Sequence, residues 1–300
     1  MTQNSNAITS GGAPRRGAST RSAFKSALAL APLLIFMIIF FFSPIAAVVV
    51  DSFHDNQGGF SLINYGDVLK EPIRTALFTS FGLAIFSALT SAIPGAVLAF
   101  LIESRGSQRL RQFISSISGV LANTGGVPLA FMFIAAFGAE GAATGFLKVF
   151  GIDLYATGFS LYTLGGLVFV YSYFQIPMMV IVFSPAIHGL RREWREASVT
   201  LGATGRQFWS RIGLPLLFPS FFSSFLLLFA SAFSAYATAR AMTSGTIPLV
   251  PLMIGNLLDG NVIFDEVNLA KALAVAMVIV TLLAMLPYLM IQRRAERWQR

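Results

Sequence analysis

The chain alternates long apolar runs with short polar connections, many of them basic. Six runs read as membrane-spanning helices, at about residues 27–50, 76–102, 113–137, 160–187, 214–238 and 269–291. The warrant is length, because roughly 20 residues at about 1.5 Å each cross a hydrocarbon core about 30 Å thick. A shorter apolar stretch, 247–258, carries Pro248 and Pro251 and ends at Asp259. It reads as a re-entrant or interfacial piece rather than a seventh span. Residues 1–25 are rich in small and hydroxylated side chains and read as a mobile basic tail. The run that follows is too long for a typical signal peptide and reads as an uncleaved first span. Residues 293–300 read as a second basic tail, leaving 26–292 as one all-α integral membrane domain.

Composition agrees with this pattern. Hydrophobic residues make up 55% of the chain and charged residues only 11%, against about 25% charged in soluble domains. The charges also fix an orientation. With the N-terminus in the cytoplasm, the inner segments hold 16 of the 21 basic residues and four of the 13 acidic ones. Lys70, Arg74, Lys148, Arg240 and Lys271 are the basic residues left outside. This is the asymmetry of the positive-inside rule. It accounts for the net charge of +8 without nucleic acid as a partner, since no basic stripe with interleaved aromatics lies on a soluble domain. Both termini are therefore expected in the cytoplasm of a bacterial inner membrane.

Several chemistries are excluded. There is no cysteine, so no disulfide framework, thiolate metal site or cysteine nucleophile exists. His54 and His188 fall on opposite sides of the membrane and cannot share a metal. None of the four lysines follows a glycine, so no phosphate-cradling G-x-x-x-x-G-K-[ST] loop is present. The chain is expected to be no enzyme and to hold no cofactor.

The polar loop between the fourth and fifth spans, 188–215, carries the most information. Leu190, Trp194, Ala197 and Leu201 share one face of a short helix. Gly202 suits the left-handed position that ends it. Thr204 and Gln207 have capping-box spacing, so a second short helix starts there. Leu214-Pro215 opens the next span, because proline fits a helix's first turn. Periodicity alone leaves two readings open, an interfacial loop resting among lipid headgroups or a surface gripped by a soluble partner.

Glu196, Ala197, Ser198, Gly202, Ile212, Leu214 and Pro215 stand at the spacing E-A-A-x(3)-G-x(9)-I-x-L-P. They resemble the EAA loop of bacterial ATP-binding-cassette importer permeases with a MetI-like transmembrane domain. Ser198 in place of the second alanine is the one departure. The resemblance implies a cytoplasmic coupling helix that inserts into a cleft on a separate ATPase. It also implies two such ATPases carrying ATP and magnesium, a second permease subunit, and an external solute-binding protein. Whether the second permease is another copy of this chain is not readable from the sequence.

Candidates for a solute pathway are less specific. Ser220, Ser224, Ser231, Ser234 and Thr238 share one face of the fifth span, and Ser80, Ser87 and Ser91 one face of the second. Such residues serve close helix packing or line a pore. Gln175 in the fourth span needs a polar partner in lipid, as does Asn123 beside the Gly125–Pro128 breaker in the third. Prolines 94, 128, 177, 185 and 219 mark kinks whose freed backbone groups can line a cavity. Arg240 is either a snorkelling anchor or a cavity charge that favours an anion. The solute classes left open are polyamine-like compounds, organophosphonates, thiamine, iron and small anions. The alternative of a secondary transporter or channel that needs no ATPase predicts intramembrane charges and internal repeats, whereas the span interiors carry almost no ionisable residues and no convincing repeat is visible. An intramembrane enzyme finds no nucleophile–base or metal cluster there.

Overall fold

The computed structural model describes residues 30–55, 58–105, 107–259 and 267–298. Among them every regular element is a helix, and an isolated bridge between His54 and Phe60 stands in place of any sheet. Six of the described helices are long and apolar enough to cross a membrane. The protein is thus an all-α membrane protein with a short helix between its fourth and fifth spans.

The chain divides into two units, residues 1–50 and 51–300. The first holds most of α1 (Leu30–Ser52). This helix contains a π turn at Ile38–Phe42, closed by the Ser43 N–H donating to Ile38 O. The expected tail, residues 1–25, lies outside the described residues.

The second unit runs from α2 (Ile63–Asp67) into α3 (Ile73–Arg105), the second span. The expected third span, 113–137, is divided between α4 (Gln108–Asn123) and α5 (Gly126–Phe137). The cause lies in Gly125-Gly126. Gly126 has φ 79°, a left-handed conformation that costs glycine no steric clash. Pro128 follows in the first turn of α5, where its missing N–H matters least. α4 is amphipathic, and the stretch apolar enough to cross is Gly126–Val149, made of α5 and the short α6 (Ala142–Val149).

The fourth span is α7 (Leu164–His188), followed by α8 (Arg192–Thr200). α9 (Gly205–Phe233) is the fifth span. It starts earlier than the expected 214 and stops before the expected 238. A separate helix, α10 (Ala237–Thr243), follows, and α11 (Val250–Leu258) covers the stretch read as re-entrant. Nine residues at about 1.5 Å each reach about 14 Å, too short to cross. α12 (Val267–Trp298) is the sixth span, and it continues through most of the expected tail at 293–300. Arg, Ala and Glu at 293–297 are good helix formers, with no glycine or proline to stop them.

The core is the crossing of α3, α7 and α9. Ala84, Ala88, Ala92 and Ala99 of α3 are fully buried and lie on one face. Gly95 belongs to the same seam, since a Cβ there would sit 2.6 Å from Met179 Cβ on α7. Small residues let two membrane helices bring their backbones close.

Candidate functional site

α8 is a short helix fixed at its C-terminal end by its own chain. Gly202 has φ 78°. Its N–H donates to Val199 O at 2.9 Å, and the Ala203 N–H donates to Ser198 O at 2.9 Å. These two bonds form a Schellman motif, which satisfies carbonyls otherwise left open at a helix end. The next helix starts at once. The Gln207 N–H donates to Thr204 Oγ1 at 3.3 Å, and the Thr204 N–H donates to Gln207 Oε1 at 2.8 Å. This reciprocal capping box leaves only Leu201–Thr204 between α8 and α9.

Glu196 and Ala197 are exposed, and so are Val199 and Leu201, the latter at 86%. Ser198 is buried, and its hydroxyl donates to Arg195 O at 2.7 Å. Leu201, Gly202, Ala203, Gln207, Arg211 and Ile212 rim a groove of about 330 Å³ with Phe208 at its base. On the other side the loop is anchored. Trp209 meets Phe100 of α3 edge to face at 5.0 Å. Gly213 makes room for that indole, since a Cβ there would lie 2.4 Å from the ring. Residues Trp209–Gly213 form a π turn within α9. Leu214 and Pro215 therefore sit inside a continuous helix instead of opening one. The donor that Pro215 lacks falls where the hydrogen-bond ladder has already shifted.

The expected pathway residues do not form one cluster. Gln175 is fully buried. Its Nε2 donates to Leu228 O on α9 at 3.0 Å, and its Oε1 accepts from Ser91 of α3 at 3.0 Å. Ser91 also lies 3.2 Å from Ser172. The amide thus ties α7 to α3 and α9. Ser80, on the same face of α3 as Ser87 and Ser91, accepts from the Val250 N–H at 2.8 Å. Asn123 is exposed and donates to Gly119 O of its own helix at 2.8 Å. Ser231 is half-buried, while the exposed Ser234 donates to Ala230 O at 2.9 Å.

The two helix breaks meet each other, which no sequence signal announced. The Gly126 N–H donates to Thr238 Oγ1 at 2.9 Å, and that hydroxyl lies 3.3 Å from Gly126 O. Tyr171 donates to Ala235 O at 3.2 Å, satisfying a carbonyl freed by the break after α9.

Arg240 stands just beyond this junction, half-buried, and donates to Asn256. Of the five basic residues expected outside, Lys70, Arg74, Lys148 and Lys271 each pair with a carboxylate, Asp67, Glu71, Asp153 and Asp51 respectively. Arg240 has no carboxylate within 4.0 Å among the described residues. At the other side of the membrane domain, Glu103 of α3 lies 2.6 Å from His188 Nε2 and 3.5 Å from Arg111 Nε.

Residues 78–300 match the family model described as "Binding-protein-dependent transport system inner membrane component". The "Probable sulfate transport system permease protein cysT" of Prototheca wickerhamii is 24% identical over 204 residues, covering 65% of this chain and 76% of its own. The putrescine transport system permease protein PotI of Escherichia coli is 24% identical over 234 residues, covering 74% of this chain and 77% of its own. A chain of the bacterial alginate ABC transporter, crystallised in complex with an alginate pentasaccharide-bound periplasmic protein, superposes with a TM-score of 0.68. It covers 93% of this chain and 96% of that one, and at 17% identity it establishes likeness of fold alone. With the family model covering residues 78–300, and six spans with a capped loop between the fourth and fifth, the chain belongs to the binding-protein-dependent transport system inner membrane components.

Proposed function

We propose that this chain is the permease subunit of an ATP-binding-cassette importer and that α8 is the handle by which ATPase subunits move it. The observation that carries this reading is the exposure of Glu196, Ala197 and Val199 on α8, and of Leu201 at its C-cap, with that end of the helix fixed by local hydrogen bonds. The small residues Ala197 and Gly202 let a partner's cleft close on the backbone, and a fixed end transmits force without bending. Two cytoplasmic ATPases hydrolyse ATP with magnesium. A second permease, identical or homologous, completes the pathway, and an external binding protein delivers solute. The basic residues support cytoplasmic termini, since 16 of 21 then lie inside. The test is the importer reconstituted with its ATPases. Glu196→Lys and Gly202→Asp are expected to uncouple uptake from ATP hydrolysis while the chain stays membrane-inserted. Normal uptake by both would overturn the assignment.

The solute we assign is an anion. Arg240, alone among the five outer cations, meets an amide instead of a carboxylate among the described residues. Two of the three relatives reported above carry sulfate or alginate in their names, and the third carries putrescine. A diamine would need carboxylates along its path, and Glu140, exposed at the turn between α5 and α6, is the one carboxylate in the middle portion of a described span. Putrescine is the one solute in those names that falls in the polyamine class read from the sequence. Arg240→Gln should lower sulfate uptake about tenfold, the effect of one charge contact of about 1.4 kcal/mol. Uptake of putrescine, with sulfate and alginate oligosaccharide inert, would reverse the assignment.

A further inference from the structure

The last turn of α3 is held from both ends of the coupling loop. Phe100 and Glu103 are three residues apart, so their side chains stack on one face of that turn. Before the loop, α7 ends at His188, whose Nε2 lies 2.6 Å from Glu103 Oε2. After the loop, Trp209 packs edge to face on Phe100 at 5.0 Å. Only Gly189, Leu190 and Arg191 separate His188 from α8. That connection is itself closed, by Gly189 N–H to Pro185 O and Leu190 N–H to Ile187 O, both 3.1 Å. Movement of α8 therefore reaches His188 through a short, bonded link.

Glu103 joins a third element. Arg111, in the first turns of α4, lies 3.5 Å from its carboxylate and donates to its backbone carbonyl. The Glu103 side chain is only 7% exposed, whereas that of His188 is 55% exposed. Glu103 Oε2 and Arg111 Nε both lack a well-aligned hydrogen bond. The carboxylate thus lies between the Arg111 guanidinium and the His188 imidazole without a well-aligned directional bond to either side chain. Such a contact survives small shifts of the three helix ends that a rigid network would resist.

We propose that Glu103 is the positioning residue through which displacement of α8 is passed to α3 and α4, and onward to the helix break at Thr124–Gly125. The proposal rests on the reading of α8 as the ATPase handle. Its node, however, lies on residues outside the EAA spacing. Glu103 touches no solute in this scheme. It keeps the ends of α3, α4 and α7 moving together.

The chain has no native cysteine, so it can be labelled at chosen positions before assembly with its partners and adds no background of its own. Phe78→Cys on α3 and Val149→Cys on α6 put labels on exposed positions. Their distance distribution is measured in the importer assembled with its ATPases, before and after trapping with magnesium, ATP and vanadate. The labelled parent is expected to shift on trapping. Glu103→Gln should keep the untrapped distribution but reduce the shifted population at least about fivefold, the lower end of typical coupling effects. His188→Ala should do the same and His188→Arg should restore the shift, a rescue that loss of packing would not give. Gly202→Asp should abolish the shift. A full shift in Glu103→Gln, or equal shifts in His188→Ala and His188→Arg, overturns this inference while leaving the handle intact if Gly202→Asp is still inert. A full shift in Gly202→Asp overturns the handle itself. If Glu103→Gln fails to assemble, the two His188 variants decide.

Discussion

The loop at 188–215 and the crossing of α3, α7 and α9 satisfy their polar groups in opposite ways. In the loop, partners lie within five residues of each other. Gly202, Ala203, Thr204 and Gln207 close both helix ends using only atoms from Ser198 to Gln207. At the crossing, Gln175 finds Ser91 84 residues away and Leu228 53 residues away. The loop is therefore a self-contained piece whose bonds would survive its displacement, with apolar residues turned outward. The crossing is fixed only when three helices are in place. On the proposed reading the first is a handle built from local contacts and the second a fulcrum built from distant ones.

Breaking the fulcrum should give the largest effects. Gly95→Leu drives a side chain into Met179, whose Cβ already lies 2.6 Å from where a Cβ would stand. Overpacking of this kind costs about 3 kcal/mol at its upper range, and thermal unfolding in detergent micelles should fall accordingly. An unchanged midpoint would mean that α3 and α7 do not approach so closely. Gln175→Leu keeps the volume and removes the amide, leaving Leu228 O without its side-chain donor. A loss of about 1–2 kcal/mol is expected, measured by the same melt. If Gln175 instead serves the solute, uptake per folded molecule would collapse while the midpoint held, which separates packing from pathway.

The same contrast explains what was legible in the residues. Six apolar runs announce six spans because crossing lipid is a matter of length and composition. Gly202 and the Thr204–Gln207 pair announce the loop's turns because the chemistry is complete within a few positions. Gly125-Gly126 marks a break in the third span, yet a single span at 113–137 is the natural reading until Gly126 shows φ 79°. The end of α9 is not readable at all. Ser234-Ala235-Tyr236 holds no glycine or proline, and the apolar run continues past it. The helix stops where distant groups take over its backbone, with Tyr171 on Ala235 O and Thr238 on Gly126. Tyr236 also fills the space beside Gly255, where a Cβ would lie 2.9 Å from the ring. Glu103, Arg111 and His188 look like ordinary inner charges in sequence, because nothing local says that α3, α4 and α7 end together.

A smaller perturbation sharpens the comparison from the loop's side. Thr204→Ala removes the hydroxyl that accepts from the Gln207 N–H. N-cap losses run at about 1 kcal/mol, here confined to the first turn of α9. Faster amide hydrogen exchange at Arg206–Phe208 is expected, with the melting midpoint of the whole domain nearly unchanged. Exchange accelerating at α3 or α7 as well would show that the loop is not the self-contained piece its bonds describe.

The smallest effect is expected at the one departure from the EAA spacing. Ser198 is buried at 7% exposure. Like those of the buried Ser87, Ser224 and Thr243, its hydroxyl donates within its own helix, here to Arg195 O three residues back on α8. That carbonyl belongs to the helix whether or not the hydroxyl is there, so removing the donor strands no distant group. Alanine also has the better helix propensity, by up to about 0.7 kcal/mol per residue across ordinary side chains. The two terms oppose each other. Ser198→Ala should therefore change stability by less than about 0.5 kcal/mol and leave uptake coupled to ATP hydrolysis. A large loss of coupling without loss of stability would put the Ser198 hydroxyl in contact with the ATPase cleft, and the handle would then be read by polar chemistry as well as by shape.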